Sequence, residues 1–270
     1  MARAEEPDRY LAALLAPQRL RPALIAVAAY AGETAKVARL VREPALGEMR
    51  LQWWTEAVLL EGGLRAGHPV ADAIRLAMER HGLPAEALVG LADARALGLY
   101  AEPFANEAEL HDYLQRAEGA LFALAARVLR PESHAALEPA VRASGSAYGL
   151  ARLLLGLPRA LSQGRVPLPL SRLAKAGLAP ADLLSGGREP ALGALLAEVT
   201  LQARAGLAEA RQHVAKLPRD MRVAFLPLAL VEPYLRASER ARGASPLVEP
   251  RIAPIARISR LAAAYWLGRP

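Results

Sequence analysis

The sequence predicts an all-α protein, and three observations carry that prediction. Ala, Leu and Arg, all strong helix formers, dominate a composition that is 53 % hydrophobic but only 5 % aromatic, and β-branched residues are sparse. Apolar residues recur at three- and four-residue spacing through most of the chain. Pro and Gly punctuate the boundaries between these periodic segments. At 270 residues the chain can bury a sizeable core as one helical domain, 1–270.

The first predicted helix, 20–41, closes before Pro44, and the second, 45–65, starts directly after it. Helices 69–81 and 84–97 each open on a proline and stop before a glycine, Gly82 and Gly98. In 107–130, Leu110, Tyr113, Leu114, Ala117, Leu121, Leu124, Ala125 and Val128 form one apolar stripe, a core face, and Pro131 follows. Helix 134–156 ends ahead of Pro158. Helix 189–216 carries a second stripe, Leu192, Leu195, Leu196, Val199, Ala203 and Leu207, and Pro218 follows. Helices 219–240 and 252–267 complete the set. The link 164–169 (GRVPLP) cannot continue a helix, because proline lacks the amide donor and biases its predecessor towards an extended backbone. It is expected to carry the chain across an end of the bundle. A second weak region, 242–254, precedes the terminal helix. No internal repeat or long low-complexity tract divides the chain, so one domain is expected.

The composition excludes several kinds of chemistry. There is no cysteine, hence no disulfide, thiolate zinc site or cysteine nucleophile. The five histidines, His68, His81, His111, His134 and His213, have no ligand-pair spacing, and H-E-x-x-H is absent. Ser144 and Ser146 flank a glycine without the pattern of a hydrolase elbow, and no dinucleotide-binding or Walker loop occurs. The formal charge of +7 suits an anionic partner, but the cations are dispersed at helical intervals and form no dense run, so no nucleic acid is expected. The first residues do not resemble a secretory signal, and no apolar run approaches the roughly 20 residues that span a bilayer. The expectation is a cytoplasmic protein, peripheral on the inner face of the cytoplasmic membrane if it meets lipid at all.

One stretch is unusual in what it lacks. From 139 to 181 there is no acid, while Arg142, Arg152, Arg159, Arg165, Arg172 and Lys175 fall inside it. Residues 148–169 (YGLARLLLGLPRALSQGRVPLP) resemble the segment of squalene and phytoene synthases that reads N-x-x-R-D-x-x-E-D and later G-R-x-x-L-P. With Gly164, Arg165, Leu168 and Pro169 matched, that family's two aspartates fall on Gly156 and Ala160. Residues 8–17 (DRYLAALLAP) and 24–33 (LIAVAAYAGE) are similar to the family's opening, which leads to a D-D-x-x-D motif. Here the three acids fall on Ala35, Lys36 and Arg39. Residues 43–54 (EPALGEMRLQWW) resemble a G-x-x-R-x-Q-[WF]-W signature, carried by Gly47, Arg50, Gln52, Trp53 and Trp54, of a subgroup made up of mitochondrial complex I assembly factors and their α-proteobacterial relatives. Residues 210–218 (ARQHVAKLP), followed by 225–228 (FLPL), are similar to the same subgroup.

The resemblance implies a class I isoprenoid synthase bundle with a central cavity flanked by helices 20–41 and 134–156. In active members, paired carboxylates on two facing helices hold Mg²⁺ against prenyl diphosphates, and carboxylates four residues apart share a helical face. The metals stabilise the departing diphosphate. In this chain no two acids stand four apart, and the pairs three apart, Glu5/Asp8 and Glu109/Asp112, lie away from the motif positions. The resemblance therefore implies a catalytically disabled relative that assists respiratory complex I assembly through protein or lipid contacts, with complex I subunits or assembly intermediates as partners. Two alternatives stand beside it: a Mg²⁺-dependent prenyltransferase that condenses two prenyl diphosphates head to head, and a module that binds anionic lipid or isoprenoid. No catalytic residue and no metal ligand is assigned, and Mg²⁺ is expected as a cofactor only under the enzyme alternative.

Lys36, Arg39, Arg152, Arg159 and Arg165 occupy or adjoin the motif positions and form a candidate anionic head-group site. Their long side chains either snorkel into water at a rim or replace the metal as a direct anion site. Trp53 and Trp54 point about 100° apart on a helix, so core packing is expected of at least one. Arg50 is expected to stack on Trp54 or to pair with Glu43 or Glu48. The terminal segment, 252–270, is basic and amphipathic, which suits either docking on its own bundle or an anionic lipid surface.

Overall fold

A computed structural model describes residues 1–41, 43–60, 64–186, 189–244, 250 and 252–270 of the chain, and among these there is no strand. In chain order the helices are α1 (Ala2–Glu5), α2 (Pro7–Leu15), α3 (Arg21–Leu40), α4 (Pro44–Leu59), α5 (Pro69–His81), α6 (Ala85–Ala96), α7 (Glu107–Leu114), α8 (Ala120–Leu129), α9 (Leu137–Ser162), α10 (Leu170–Lys175), α11 (Pro180–Leu184), α12 (Glu189–Val214), α13 (Val231–Ala244) and α14 (Pro254–Leu267). Each of the nine predicted helices has a counterpart, two of them interrupted; residues 61–63 of the predicted 45–65 lie outside the described residues, and α1, α2, α10 and α11 are additional. Part of the weak region at 242–254, residues 245–249 and 251, lies outside the described residues.

Where the bounds differ, local chemistry accounts for it. Helix α4 stops at Leu59 because the buried Arg75 takes its last carbonyls, with Nη1 donating to Ala57 O at 3.1 Å and Leu60 O at 2.5 Å. Helix α5 keeps its predicted bounds: His68 Nδ1 accepts from Val70 N at 3.3 Å, Pro69 stands in the first turn, and Gly82 closes the helix at φ +60°. Helix α9 runs six residues past its predicted end, from 156 to Ser162, despite Pro158. Leu154, Leu157 and Leu161 are buried on both sides of that proline, and burial of an aliphatic side chain contributes about 1.5–3 kcal/mol. The helix ends where Arg165 N bonds back to Ala160 O at 2.9 Å, with Gly164 at φ +73° in the left-handed conformation that only glycine adopts freely.

The predicted helix 107–130 is broken by a π-helical turn at Gln115–Gly119. Its cause lies across the bundle. Gln115 Nε2 donates to Arg142 O at 3.1 Å and to Ser146 Oγ at 3.0 Å, and Gly119 meets Gly145 backbone to backbone. A Cβ on Gly145 would stand 2.8 Å from Gly119 Cα and 2.9 Å from its N, and neither atom can rotate aside. Gly145→Val is therefore expected to destabilise the fold by about 3 kcal/mol, measured as the fall in urea unfolding free energy. The predicted helix 219–240 is likewise divided, into a 3₁₀ segment, Met221–Leu230, containing Pro227, and α13.

The long helices α9 and α12 pack along one another at the centre, α8 and α13 pack against α9, and α3 packs against α5, α6 and α8. One apolar cluster joins residues from Ala2 to Ala264, with Tyr30, Phe122, Tyr148 and Phe225 among its largest fully buried members. The link 164–169 crosses an end of the bundle as expected, and Leu170 N and Ser171 N bond to Phe104 O (2.8 Å) and Ala105 O (3.2 Å) of the opposite loop.

Candidate functional site

A cavity of about 280 Å³ opens at this end of the bundle, between the C-terminal half of α9, the end of α7, the loop 97–104 and the link around Arg165; α9 forms a wall as expected, whereas no residue of α3, the other expected flank, lines it. Its wall is amphipathic: Phe104, Tyr113, Leu114 and Leu153 supply apolar surface, and Arg95, Arg152 and Arg165 supply charge.

Helical spacing places the α9 contribution. Gly149, Arg152, Leu153, Gly156 and Ala160 recur at three or four residues and line one face, while Leu150, Ala151, Leu154 and Leu157 turn into the core. Gly156 and Ala160, where the resemblance places the family's aspartates, are both on the cavity wall. Their small side chains carry no oxygen, so they add volume and no metal ligand. The carboxylates on the wall are Glu102 and Glu118. Among the described residues no group of three or more His, Cys, Asp or Glu is placed to hold a metal ion. This donor set does not fit a diphosphate site built on several Mg²⁺ ions, which needs convergent carboxylate oxygens.

Glu118 belongs instead to a buried ionic network behind the wall. Its Oε2 accepts from Arg9 Nη2 at 2.9 Å, Arg152 Nη1 stands 3.5 Å away and Arg95 Nη2 3.8 Å away. Arg152 Nη1 also donates to both oxygens of Glu6, at 2.9 and 2.8 Å, and Arg9 lies 3.7 Å from Glu6. The Arg9 guanidinium is 5.0 Å from the Phe122 ring centre and 4.9 Å from that of Tyr148. Burial alone would raise the Glu118 pKa, but Arg152, Arg9 and Arg95 together hold it below the ordinary carboxylate value. Three guanidiniums (Arg9, Arg95, Arg152) face two carboxylates (Glu6, Glu118), an excess of one positive charge beside the cavity.

Next to it, Asp8 accepts from Tyr148 Oη at 2.6 Å and from Tyr234 Oη, and pairs with Arg257 Nε at 2.8 Å. Burial and the Asp8 charge raise both tyrosine pKa values, so both phenols stay protonated as donors.

Of the five candidate cations, Arg152 and Arg165 line the cavity, and Lys36, Arg39 and Arg159 do not. The expectation of one convergent head-group site is corrected to that extent, and the reason is local pairing. Lys36 is held by Glu33 one turn back, and Arg39 by Glu5 of α1. Helix α1 packs against α3 closely enough that a Cβ on Gly32 would lie 2.6 Å from Glu5 Cβ. Ala35 sits on the same α3 turn and is also outside the cavity wall, and Arg159, two turns after Arg152 and at the edge of the same face of α9, is exposed and does not line the wall. Arg165 donates to Gly98 O and Gln163 Oε1, neutral partners that leave its charge uncompensated.

The signature residues are structural. Gly47 is buried where a Cβ would meet Leu99 Cδ2 at 2.4 Å, so it lets α4 approach the cavity rim at 97–99. Trp54 is buried and edge-on to Tyr30 (5.5 Å) and His68 (4.9 Å), while Trp53 is partly exposed. Gln52 Nε2 bonds to Glu56 Oε1 at 3.1 Å, and Arg50 is exposed rather than stacked.

Sequence reasoning missed Arg95, Glu118, Glu6, Asp8 and Arg9. The one available signal was the dense charge of residues 5–9 (EEPDR) in a chain whose charges are otherwise dispersed.

An all-helical bundle with this cavity has the isoprenoid synthase fold. It superposes on the squalene synthase HpnC from Alicyclobacillus acidocaldarius with a TM-score of 0.73 at 19 % identity, over 91 % of this chain and 92 % of that one. A dehydrosqualene synthase solved with a ligand superposes with a TM-score of 0.75 at 17 % identity, over 98 % and 93 %. The profile of the squalene/phytoene synthase family matches residues 2–254, and the chain belongs to that family. Similar curated proteins include complex I assembly factor 6 from Mus musculus, 28 % identical, and from Homo sapiens, 27 % identical, each over 89 % of this chain and 72 % of the relative. The bifunctional protein CrtB/UppS of Streptomyces coelicolor is 34 % identical over 70 % of this chain and 34 % of its own length.

Proposed function

We propose that this chain is a squalene/phytoene synthase relative that no longer condenses prenyl diphosphates and instead assists the assembly of respiratory complex I through its contacts with other molecules. The observation that carries the reading is the cavity wall. Gly156 and Ala160 stand where metal-holding aspartates are expected, and the wall carboxylate Glu118 is surrounded by three arginines of the chain itself. Similarity to complex I assembly factor 6 over most of both chains supports the assembly role. Affinity purification of the tagged chain from solubilised membranes tests it. Complex I subunits or subassemblies are expected in the eluate, and their absence, with complex I assembled normally in cells lacking the protein, would contradict the role.

A second reading has its own support. The excess positive charge beside the cavity, the uncompensated Arg165 and the apolar wall suit an isoprenoid or lipid with an anionic head group, bound without metal. Farnesyl diphosphate in EDTA is then expected to raise the melting temperature of the wild type and not of Arg165→Glu.

A further inference from the structure

We propose that the outward face of α14 docks in the plane of an anionic lipid surface. The inner side of this helix is already committed: Leu261 and Ala264 are buried against the bundle and Arg257 pairs with Asp8. At 100° per residue the opposite side presents Ile255, Ala262 and Trp266 with Ser259 among them, and Ile258 is exposed on its flank. Ile255 is 72 % exposed and Trp266 81 %, and Leu267, at 73 %, widens the patch at the C-terminal end. A surface helix of a globular protein normally turns charge outward, so this one is apolar on both sides where only one is covered.

The face is held firmly. Arg211 Nε donates to Pro270 O at 2.9 Å, Arg222 Nη1 approaches Gly268 O at 3.4 Å, and Pro270 is itself buried. With Arg257 paired to Asp8 near the other end, both ends of α14 are fixed to the body, and the apolar row is presented as a ridge.

Charge identifies the occupant. From 250 to 270 there is no acidic residue, and Arg260 and Arg269 are exposed beside the apolar row. A second copy docked through the same face would bring the arginines of both copies together with no acid on either helix to offset them. An anionic head-group layer meets the arginines and takes the isoleucines and Trp266 below it. Tyr265 and Trp266, edge to face at 5.6 Å, form the kind of amphipathic aromatic pair that settles at a head-group boundary. Helix α14 is only 14 residues long, and among the described residues no helix is long and apolar enough to cross a membrane, so the docking is in-plane.

The test uses the full chain and vesicles of phosphatidylcholine alone or mixed with phosphatidylglycerol. Cosedimentation with the mixed vesicles is expected, weakened by high salt and weak on phosphatidylcholine alone. Ile255→Glu/Trp266→Glu, whose side chains point away from the core, should keep the wild-type melting temperature and bind at least about tenfold more weakly, while Leu201→Glu, an exposed leucine on α12, should bind as wild type. Brominated lipid should quench tryptophan fluorescence in the wild type and much less in Trp266→Phe, a readout that does not depend on the double variant being folded. Failure of the wild type to bind, equal binding by the double variant, equal quenching in Trp266→Phe, or a wild-type dimer that the double variant dissolves would each overturn the proposal. None of these outcomes bears on the assembly reading, which rests on the cavity and the relatives.

Discussion

Replacing Arg9 with methionine is expected to destabilise the protein by about 3–5 kcal/mol, a large share of the total stability of an ordinary domain. Arg9 is buried and connects Glu6, Glu118, Phe122 and Tyr148 at once. Methionine fills much of the same volume but leaves Glu118 facing only Arg95 and Arg152, at 3.8 and 3.5 Å, with its desolvation less compensated. The loss is read as the change in urea unfolding free energy at neutral pH. The same network sets an acid limit. Because the folded-state pKa of Glu118 lies below its ordinary value of 4.5, its contribution is fully present above that value and is lost as the pH falls through the folded pKa. Melting temperature measured against pH should fall in this acid range, and in Arg9→Met the fall should begin at higher pH, because one of the cations that depress Glu118 is gone.

Asp8→Ala should cost a comparable amount, about 3–5 kcal/mol, and should also loosen the C-terminal helix. Asp8 is the common acceptor for two phenols on α9 and α13 and the counter-charge of Arg257 on α14. Alanine leaves two buried hydroxyls without that acceptor and one guanidinium without its partner. Limited proteolysis distinguishes this from a general loss of stability: cleavage near α14 should accelerate under conditions where the remaining helices stay protected. Asp8→Asn keeps an acceptor for the tyrosines but removes the charge, and should fall between wild type and alanine.

Both effects arise from residues whose roles were invisible in the sequence. Arg9 and Glu118 are 109 positions apart, Asp8 and Tyr234 are 226 apart, and no helical period relates them. The longer helices were legible because each follows from a local apolar period and a proline or glycine at its edge, whereas the short α1, α2, α10 and α11 lie outside the predicted set. The π turn at Gln115–Gly119 was not, since it answers a glycine–glycine contact with α9 that no local pattern records. The extension of α9 through Pro158 shows tertiary burial overriding a local breaker. At the cavity, Gly156, Ala160, Arg152 and Arg165 were found through family resemblance combined with the spacing along α9. Lys36 and Arg39 were assigned to the same site because their counter-charges, Glu33 and Glu5, were not recognised as partners. A cation is free to face a cavity only if no nearer acid claims it.

The proposed loss of the means to ionise a prenyl diphosphate in this cavity is open to a direct assay of diphosphate release. Folded protein, verified by cooperative thermal unfolding, is incubated with farnesyl and geranylgeranyl diphosphate in the presence of Mg²⁺. With neither Gly156 nor Ala160 supplying a carboxylate and Glu118 held by Arg9, Arg95 and Arg152, release should not rise above the protein-free rate. Multiple turnovers of diphosphate per protein molecule, with a condensed hydrocarbon or alcohol product, would contradict the account.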